Sequence, residues 1–385
     1  MPEVPYADRY VLVHLILEVG LALSRVLPIA ALAVAVTVSS ASAATAAVVA
    51  ETPERTTSVN GTVYSVIYAG DTVYIGGHFS TARDSSGTVT RNNAAAINAS
   101  TGQLLRWNPN VNGTVRAIAT VPGGVALGGA FGTVRGERHP RLAVVTPITG
   151  APTSFSGSAN RTVRSLASNA RGRLFVGGQF TSVNGRARSG LAAFNGNTLT
   201  SWAPRAVGGT VRTLHRANGW VLAGGTFNSI NGTSGSGFLA ALSPSSGAVI
   251  TSWNPPLSVP VNDIDAGLTT VYAAADGRGG RLGAYRLSNG DQRWAVRADG
   301  GVQAVSLWGS AAFFGGHFDH VGTASRRKLA RVDTTAGALQ AWNPRANSAA
   351  GVLALDHNRT RLGVGGAFTT FNGGATSQPH FAQFH

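Results

Sequence analysis

The sequence predicts an all-β fold, a seven-bladed β-propeller of four-stranded antiparallel blades, on three observations. One short pattern of residues recurs seven times along residues 59–384. The recurring unit is about 41–52 residues long, which is the period of a propeller blade. Glycine accounts for 50 of the 385 residues while charged residues make up only 12%, a composition typical of short strands joined by tight turns.

The unit contains four predicted strands. The first has the form Val-x-x-aliphatic, with the leading valines at Val63, Val115, Val163, Val211, Val261, Val302 and Val352. A second strand ends in Gly-Gly-x-Phe in six units, and the fifth unit has Ala274-Ala275-Asp276 there instead. Turns such as Asn184-Gly185 lead to a third strand, because Asn and Gly tolerate the positive φ of a hairpin turn.

The fourth predicted strand carries an aromatic residue in most units. The tryptophans are Trp107, Trp202, Trp253, Trp294 and Trp342, with Phe155 in the second unit. Stacking on sugars or bases would explain single tryptophans. Their recurrence at one register favours a structural role, in which each packs between neighbouring blades and buries about 150–250 Å².

The two ends of the repeat region predict closure of the ring. The last unit stops at its third strand, Phe381 to Phe384, so residues around 46–58 are expected to supply the fourth strand and cover the open sheet edge. Residues 44–385 would then form a single propeller domain. An open solenoid is the competing architecture.

Residues 1–43 are expected to be a leader with a secretory signal peptide. Arg25 precedes an apolar stretch at residues 26–38, and Ala41-Ser42-Ala43 offers a cleavage site, the order of features in such peptides. The protein is therefore expected to be secreted, without stable membrane insertion once cleaved. Residues 1–24 fit this pattern poorly, which suggests a start codon nearer Val19; a signal anchor that retains residues 11–38 is the alternative.

Composition restricts the classes of function. The chain has no cysteine, which excludes disulfides, thiolate metal sites and a cysteine nucleophile. Its net charge of +15 favours anionic partners, namely nucleic acid, acidic glycans, phosphate-rich cell-wall polymers or membrane surfaces. An anionic glycan, a cell-wall polymer or a protein is the expected partner. Because the arginines are spread over all repeats, a self-repelling surface of a monomer explains the charge as well. No nucleic-acid-binding motif is present, so a nucleic-acid partner is not expected.

The Gly-Gly at the end of strand two and the aromatic residue on strand four resemble the Kelch-type propellers. The hairpin Ala96-Ile97…Thr101-Gly102…Trp107 is similar to the docking motif of quinoprotein propellers. The Val-Gly-Gly-x-Phe and Trp-Asn-Pro signatures most resemble bacterial secreted propeller-repeat proteins without an assigned activity. That resemblance implies a fold and no reaction. Galactose oxidase-like enzymes need copper and a Tyr–Cys cross-link, and quinoprotein dehydrogenases generally have eight blades and a calcium-bound cofactor; the absence of cysteine and the count of seven argue against both.

Two clusters are candidate sites. Asp263, Asp265 and Asp276 gather in the fifth unit, the unit that departs from the pattern, and such carboxylates could bind calcium or act as an acid–base pair. Neutral drift of one blade, with Asp–Arg surface pairs, is the alternative explanation and the favoured one. His317, Asp319 and His320 could bind a divalent cation or simply lie in a loop.

These observations predict a non-catalytic secreted binding or scaffold protein. The alternative is a secreted hydrolase, lyase or quinoprotein-like oxidoreductase whose site lies in the central channel, assembled from residues far apart in sequence. Two or more carboxylates or histidines within about 3–9 Å at the channel mouth would favour the enzyme. An arginine-lined or featureless mouth would favour binding.

Overall fold

Each repeat unit folds into one antiparallel meander in the computed structural model, which describes residues 49–385. We number these sheets 1 to 7 and name their strands inner, middle and third in chain order. The inner strands are Val63–Ala69, Val115–Val121, Val163–Ser168, Val211–Ala217, Val261–Ala266, Val302–Trp308 and Val352–His357. The middle strands are Thr72–Gly77, Gly124–Gly129, Arg173–Gly178, Trp220–Gly225, Thr270–Ala275, Ala311–Gly316 and Leu362–Gly366. The third strands are Ala94–Asn98, Leu142–Val145, Leu191–Asn195, Leu239–Leu242, Arg281–Arg286, Leu329–Asp333 and Phe381–Phe384.

A regular fourth strand is present only in sheets 3 and 5, as Thr198–Leu199 and Gln292–Arg297. In sheets 1, 2, 4 and 6 the fourth segment meets the third strand at a single bridge, for example Ile97 with Leu104. Proline follows two residues after most of the tryptophans and has no N–H to donate to a ladder, so pairing does not continue past these tryptophans. No proline follows Trp294, and the fourth strand of sheet 5 is accordingly six residues long.

Short hairpins and one turn complete the structure outside the seven sheets. The paired strands are Ser58–Val59 with Thr81–Asp84 and Gly87–Thr90, Thr133–Val134 with Glu137–Arg138, Ser182–Val183 with Arg186–Ala187, Ala206–Val207 with Ser229–Ile230, His320–Val321 with Ala324–Ser325, and Thr370–Phe371 with Thr376–Ser377; the turn is the 3-10 helix Asn372–Gly374. Residues 49–385 contain no helix with the length and apolarity needed to cross a membrane. The predicted leader, residues 1–43, lies outside the described residues.

Neighbouring sheets approach each other at the first glycine of each Gly-Gly pair. A Cβ placed on Gly128 of sheet 2 would lie 2.5 Å from Val163 Cγ1 of sheet 3. A Cβ placed on Gly365 of sheet 7 would lie 2.6 Å from Val63 Cγ1 of sheet 1. Real Cβ atoms do not come that close to a neighbouring side chain, so glycine is required at both positions. Sheet 7 therefore packs against sheet 1 in the same way as sheet 2 packs against sheet 3.

Residues 50–54 lie along the outer edge of sheet 7. The Ala50 N–H donates to the carbonyl of His385 at 3.0 Å, and the Glu54 N–H donates to the carbonyl of Gln383 at 2.8 Å. The Glu54 carboxylate also pairs with Arg361 of the same sheet at 2.8 Å. The edge that the sequence leaves open is thus covered in the structure by the segment preceding sheet 1.

Candidate functional site

A cavity of about 420 Å³ lies between the inner strands and is lined by residues from all seven of them. We call it the channel. Its wall alternates between short apolar side chains, which also fill the spaces between sheets, and polar side chains. Because a cavity at the junction of several repeats collects residues from distant parts of the sequence, it is the natural candidate site of this fold.

A β-bulge in every inner strand determines which side chains enter the channel. The register with the middle strand shifts immediately after the first valine in all seven sheets. A bulge leaves one residue unpaired and re-aims its side chain. The bulged residues are Tyr64, Arg116, Arg164, Arg212, Asn262, Gln303 and Leu353, and all of them line the channel.

Three of these bulged residues, Arg116, Arg164 and Arg212, come from sheets 2, 3 and 4 and form what we call the arginine cluster. All three are half-buried. Arg164 Nε has no hydrogen-bond partner within residues 49–385. Burial lowers the pKa of Arg164, and the positive charges of Arg116 and Arg212 lower it further. Arg164 is therefore a partly desolvated cation that lies close enough to Arg116 and Arg212 to be repelled by their charges.

The three arginines of the cluster differ in their contacts with negatively charged or aromatic groups. The guanidinium of Arg116 lies over the ring of Tyr64, 4.5 Å from its centroid. Arg212 pairs with the carboxylate of Asp276 at 2.9 Å, and the Asn262 side chain donates to the same carboxylate at 2.8 Å. Within the described residues, no carboxylate forms an ion pair with Arg116 or Arg164. Two cations of this cluster therefore face the channel without an anion.

Carboxylates lie further along the channel, in sheets 5 and 7. Asp263 accepts a hydrogen bond from the Val305 N–H at 3.0 Å, and Asp356 accepts one from the Tyr68 N–H at 2.7 Å. Burial raises the pKa of Asp263 and that of Asp356 to about 7. Both carboxylates bind the backbone of the next sheet, so they tie sheet 5 to sheet 6 and sheet 7 to sheet 1.

Asp265 contacts both the backbone of the next sheet and a histidine side chain. Its carboxylate accepts a hydrogen bond from the Leu307 N–H at 2.8 Å. It also lies 3.7 Å from Nε2 of His215 in sheet 4. Of the three predicted aspartates, the structure therefore places Asp263 and Asp265 in the channel wall and Asp276 beside the arginine cluster.

Comparisons with known proteins identify the architecture. No protein-family model matches the chain, and no curated protein sequence does. Among solved structures, the WD40 β-propeller domain of Doa1 is similar with a TM-score of 0.58 at 11% identity, over 86% of this chain and 96% of that one. The computationally designed protein Ika8 is similar with a TM-score of 0.54 at 14% identity, over 85% of this chain and 98% of that one.

The fold is a β-propeller. This agrees with the all-β prediction from the repeats. Likenesses at these low identities concern the fold alone, so function must be argued from the residues of the site.

Other polar residues of the propeller's inner strands also connect neighbouring sheets. Ser65 accepts a hydrogen bond from the Ile118 N–H at 3.1 Å, and Ser165 accepts one from the Leu214 N–H at 2.7 Å. Both serines hold the same place in the repeat as Asp263. Ser306 lies 3.1 Å from Nδ1 of His357 on the next sheet. Ser65, Ser165 and Asp263 thus each give a backbone N–H of the next sheet a partner, whereas sheets 2, 6 and 7 have alanine at this position.

The predicted histidine cluster does not converge on one point. His317 Nε2 accepts a hydrogen bond from the Gly301 N–H at 3.0 Å. Asp319 pairs with Lys328 at 3.1 Å, while His320 Nδ1 lies 2.8 Å from the carboxylate of Asp299. In residues 49–385 no three His, Asp or Glu side chains are grouped as metal ligands.

The tryptophans lie between sheets and bond to the neighbouring unit. Four of them donate the indole N–H to a carbonyl at the end of the third strand of the next sheet or just beyond it: Trp107 to Thr146, Trp202 to Ser243, Trp253 to Arg286 and Trp294 to Thr334, at 2.9–3.2 Å. Trp342 donates to Ala50 at 2.9 Å, in the segment that covers sheet 7. All five are at most 9% exposed, which leaves them no access to a ligand.

The sequence interpretation did not single out the arginine cluster. Arginine follows the first valine in three successive units, Val115-Arg116, Val163-Arg164 and Val211-Arg212. Arginine at the same position of three successive units indicates a cluster of positive charge. Its meaning depends on the bulge, which places this residue in the channel in every sheet.

Proposed function

We propose that this chain is a secreted, non-catalytic propeller of seven blades that acts as a binding module for an anionic glycan or cell-wall polymer. The observation that carries the proposal is the arginine cluster: two half-buried guanidinium groups face the channel with no carboxylate of the described chain to neutralise them. Guanidinium groups bind carboxylate and phosphate groups through charge-assisted hydrogen bonds of defined geometry.

Three features support seven blades arranged in a closed ring. There are seven meander sheets in residues 49–385, one for each repeat unit. Gly365 of sheet 7 meets Val63 of sheet 1 at the same kind of close approach that joins other neighbours. The segment at residues 50–54 covers the last sheet edge, as a ring completed by both ends of one chain would require.

The net charge of the chain supports an anionic partner. The excess of 31 basic over 16 acidic side chains produces a positive field that attracts polyanions and raises their association rate. Secretion is supported by the signal-peptide pattern within residues 1–43. A polymer outside the cell is the partner that fits both features, and a single ring with covered sheet edges is compatible with a monomer.

The contact between His215 and Asp265 favours an enzyme as the second candidate, because a carboxylate beside a histidine can form an acid–base pair. The other contacts of Asp265 favour the structural role. Its two oxygens already accept the N–H groups of Leu307 and Ala266. We therefore propose binding as the function and expect no turnover of the polymers tested below.

The test is a binding screen of the purified chain on immobilised anionic and neutral cell-wall polymers and glycans. Measurements at about 0.05 M and about 0.5 M salt separate electrostatic binding from other binding. The proposal predicts retention by anionic polymers at low salt, loss at high salt, and weaker retention of Arg116→Gln and Arg164→Gln. Arg138→Gln is the matched control, because Arg138 is exposed on a hairpin away from the channel. Equal retention of all variants, preference for neutral glycans, or release of products from a polymer would contradict it.

A further inference from the structure

The arginine cluster and Asp276 together have a net formal charge that can be counted. Arg116, Arg164 and Arg212 contribute three positive charges, and Asp276 contributes one negative charge through its ion pair with Arg212. The remaining net charge is +2, carried by Arg116 and Arg164. Asn262 and Gln303, the next two bulged residues, turn their amides toward Asp276 at 2.8 and 3.5 Å and add no charge.

This arrangement leaves two guanidinium groups without a carboxylate partner in the described chain, side by side in the channel wall. Arg116 and Arg164 hold equivalent positions on adjacent inner strands, and the charge of Arg116 is near enough to lower the pKa of Arg164. The guanidinium of Arg116 lies over the ring of Tyr64, 4.5 Å from its centroid, a contact that uses none of its N–H donors. A carboxylate accepts two hydrogen bonds from one guanidinium group. Its single negative charge would leave the charge of the second arginine without a counter-ion.

We infer that the arginine cluster binds a phosphate monoester, held between Arg116 and Arg164, with Asp276 limiting the site to a single doubly charged group. A phosphate monoester carries about −1.5 to −2 charges near pH 7 and three acceptor oxygens, so it matches two guanidinium groups in charge and in donor number. The inference rests on the proposed function and narrows its ligand to a phosphorylated sugar or a phosphorylated end of a polymer.

Asp276 limits which anions the arginine cluster binds. Its carboxylate occupies Arg212 and repels a second anion at the edge of the cluster. Asp276 also stands at the variable position that lies between Gly-Gly and Phe in the other six units, and none of those six has a carboxylate there. Asp276→Asn keeps a side chain of the same shape and frees Arg212 for the ligand.

The experiment is isothermal titration calorimetry of the purified full chain with glucose 1-phosphate, inorganic phosphate and glucuronate. Glucose 1-phosphate and inorganic phosphate should bind with similar heats, and glucuronate about tenfold or more weakly, because it carries one charge instead of two. Arg116→Gln and Arg164→Gln should each weaken phosphate binding about tenfold or more, while Arg138→Gln leaves it unchanged. Asp276→Asn should strengthen phosphate binding more than glucuronate binding, because the freed guanidinium of Arg212 attracts a dianion more strongly than a monoanion.

Two further measurements separate loss of phosphate binding from loss of folding. Thermal melting shows whether each variant is folded, and Arg164→Lys, which keeps the charge without the planar fork, should retain part of the affinity. If the polymers of the previous section bind through the arginine cluster but glucose 1-phosphate and inorganic phosphate do not, this inference fails and the proposed function stands. If Asp276→Asn weakens phosphate binding, the specificity role of Asp276 is wrong. If neither polymer nor phosphate binds, both proposals fail.

Discussion

Truncation of Trp202 tests the claim that the tryptophans join neighbouring sheets. Trp202 is 1% exposed, packs edge-on against Phe175 with ring centroids 5.1 Å apart, and donates its indole N–H to the Ser243 carbonyl at 2.9 Å. Trp202→Ala would open a large cavity between sheets 3 and 4, which destabilises by about 3–5 kcal/mol. The Ser243 carbonyl also accepts the Gly247 N–H, so it does not become an unsatisfied group. We therefore expect no large additional loss from the hydrogen bond.

Trp202→Phe separates the two contributions, because it keeps a ring in the site and removes the N–H. We expect a loss of about 1–2 kcal/mol for this variant. The measurement is equilibrium unfolding in urea, followed by far-ultraviolet circular dichroism. Leu268→Ala is the control, since Leu268 is 83% exposed and its removal should change stability by less than about 0.5 kcal/mol. A Trp202→Ala protein as stable as the control would refute the structural role.

Three further predictions concern the junction between the first and last sheets. Gly365→Val places side-chain atoms against Val63 and should destabilise by about 1–3 kcal/mol through overpacking; an unchanged urea midpoint would show that this contact is absent. The folded chain binds the proton of Asp356 more tightly than the unfolded chain, because burial raises its pKa to about 7; this stabilisation is complete below about pH 4 and is lost as the pH rises through about 7. Asp356→Asn keeps an acceptor for Tyr68, so its stability relative to wild type should improve between about pH 5 and pH 8, by on the order of 1–3 kcal/mol, and a constant difference in urea midpoints would contradict this. Deletion of residues 49–57 uncovers the edge of sheet 7 and should cause self-association, visible as a larger mass in light scattering, whereas a stable monomer would show that the segment does not protect the edge.

The sequence predicted the repeating sheets because their residues are local signals. Each Val-x-x-aliphatic strand and each Gly-Gly pair can be recognised within a single repeat unit. The structure has one sheet at each of the seven units. The fourth strand was harder to predict. Its aromatic residue is part of the repeat, yet the segment pairs through a single bridge in sheets 1, 2, 4 and 6. The proline that follows most of the tryptophans removes a donor, but it does not decide the pairing alone, because sheet 3 has this proline and a regular fourth strand while sheet 2 has neither.

The site was predictable only in part, because its members come from different units. The fifth unit drew attention to Asp263, Asp265 and Asp276, but a linear motif does not show that Asp263 binds the backbone of sheet 6 while Asp276 pairs with Arg212 of sheet 4. Asp356 was not recognised, since its partner Tyr68 lies 288 residues away. The arginines required knowledge of the bulge, a property of backbone pairing that the residue pattern alone does not reveal.

The most direct test of the central claim is an experimental structure of the chain with tungstate, a tetrahedral dianion whose anomalous scattering locates it without ambiguity. The account predicts one strong anomalous peak inside the channel, within hydrogen-bond distance of the Arg116 and Arg164 guanidinium groups, and loss of that peak in Arg164→Gln. Peaks confined to arginines on the outer surface, with none between Arg116 and Arg164, would contradict it.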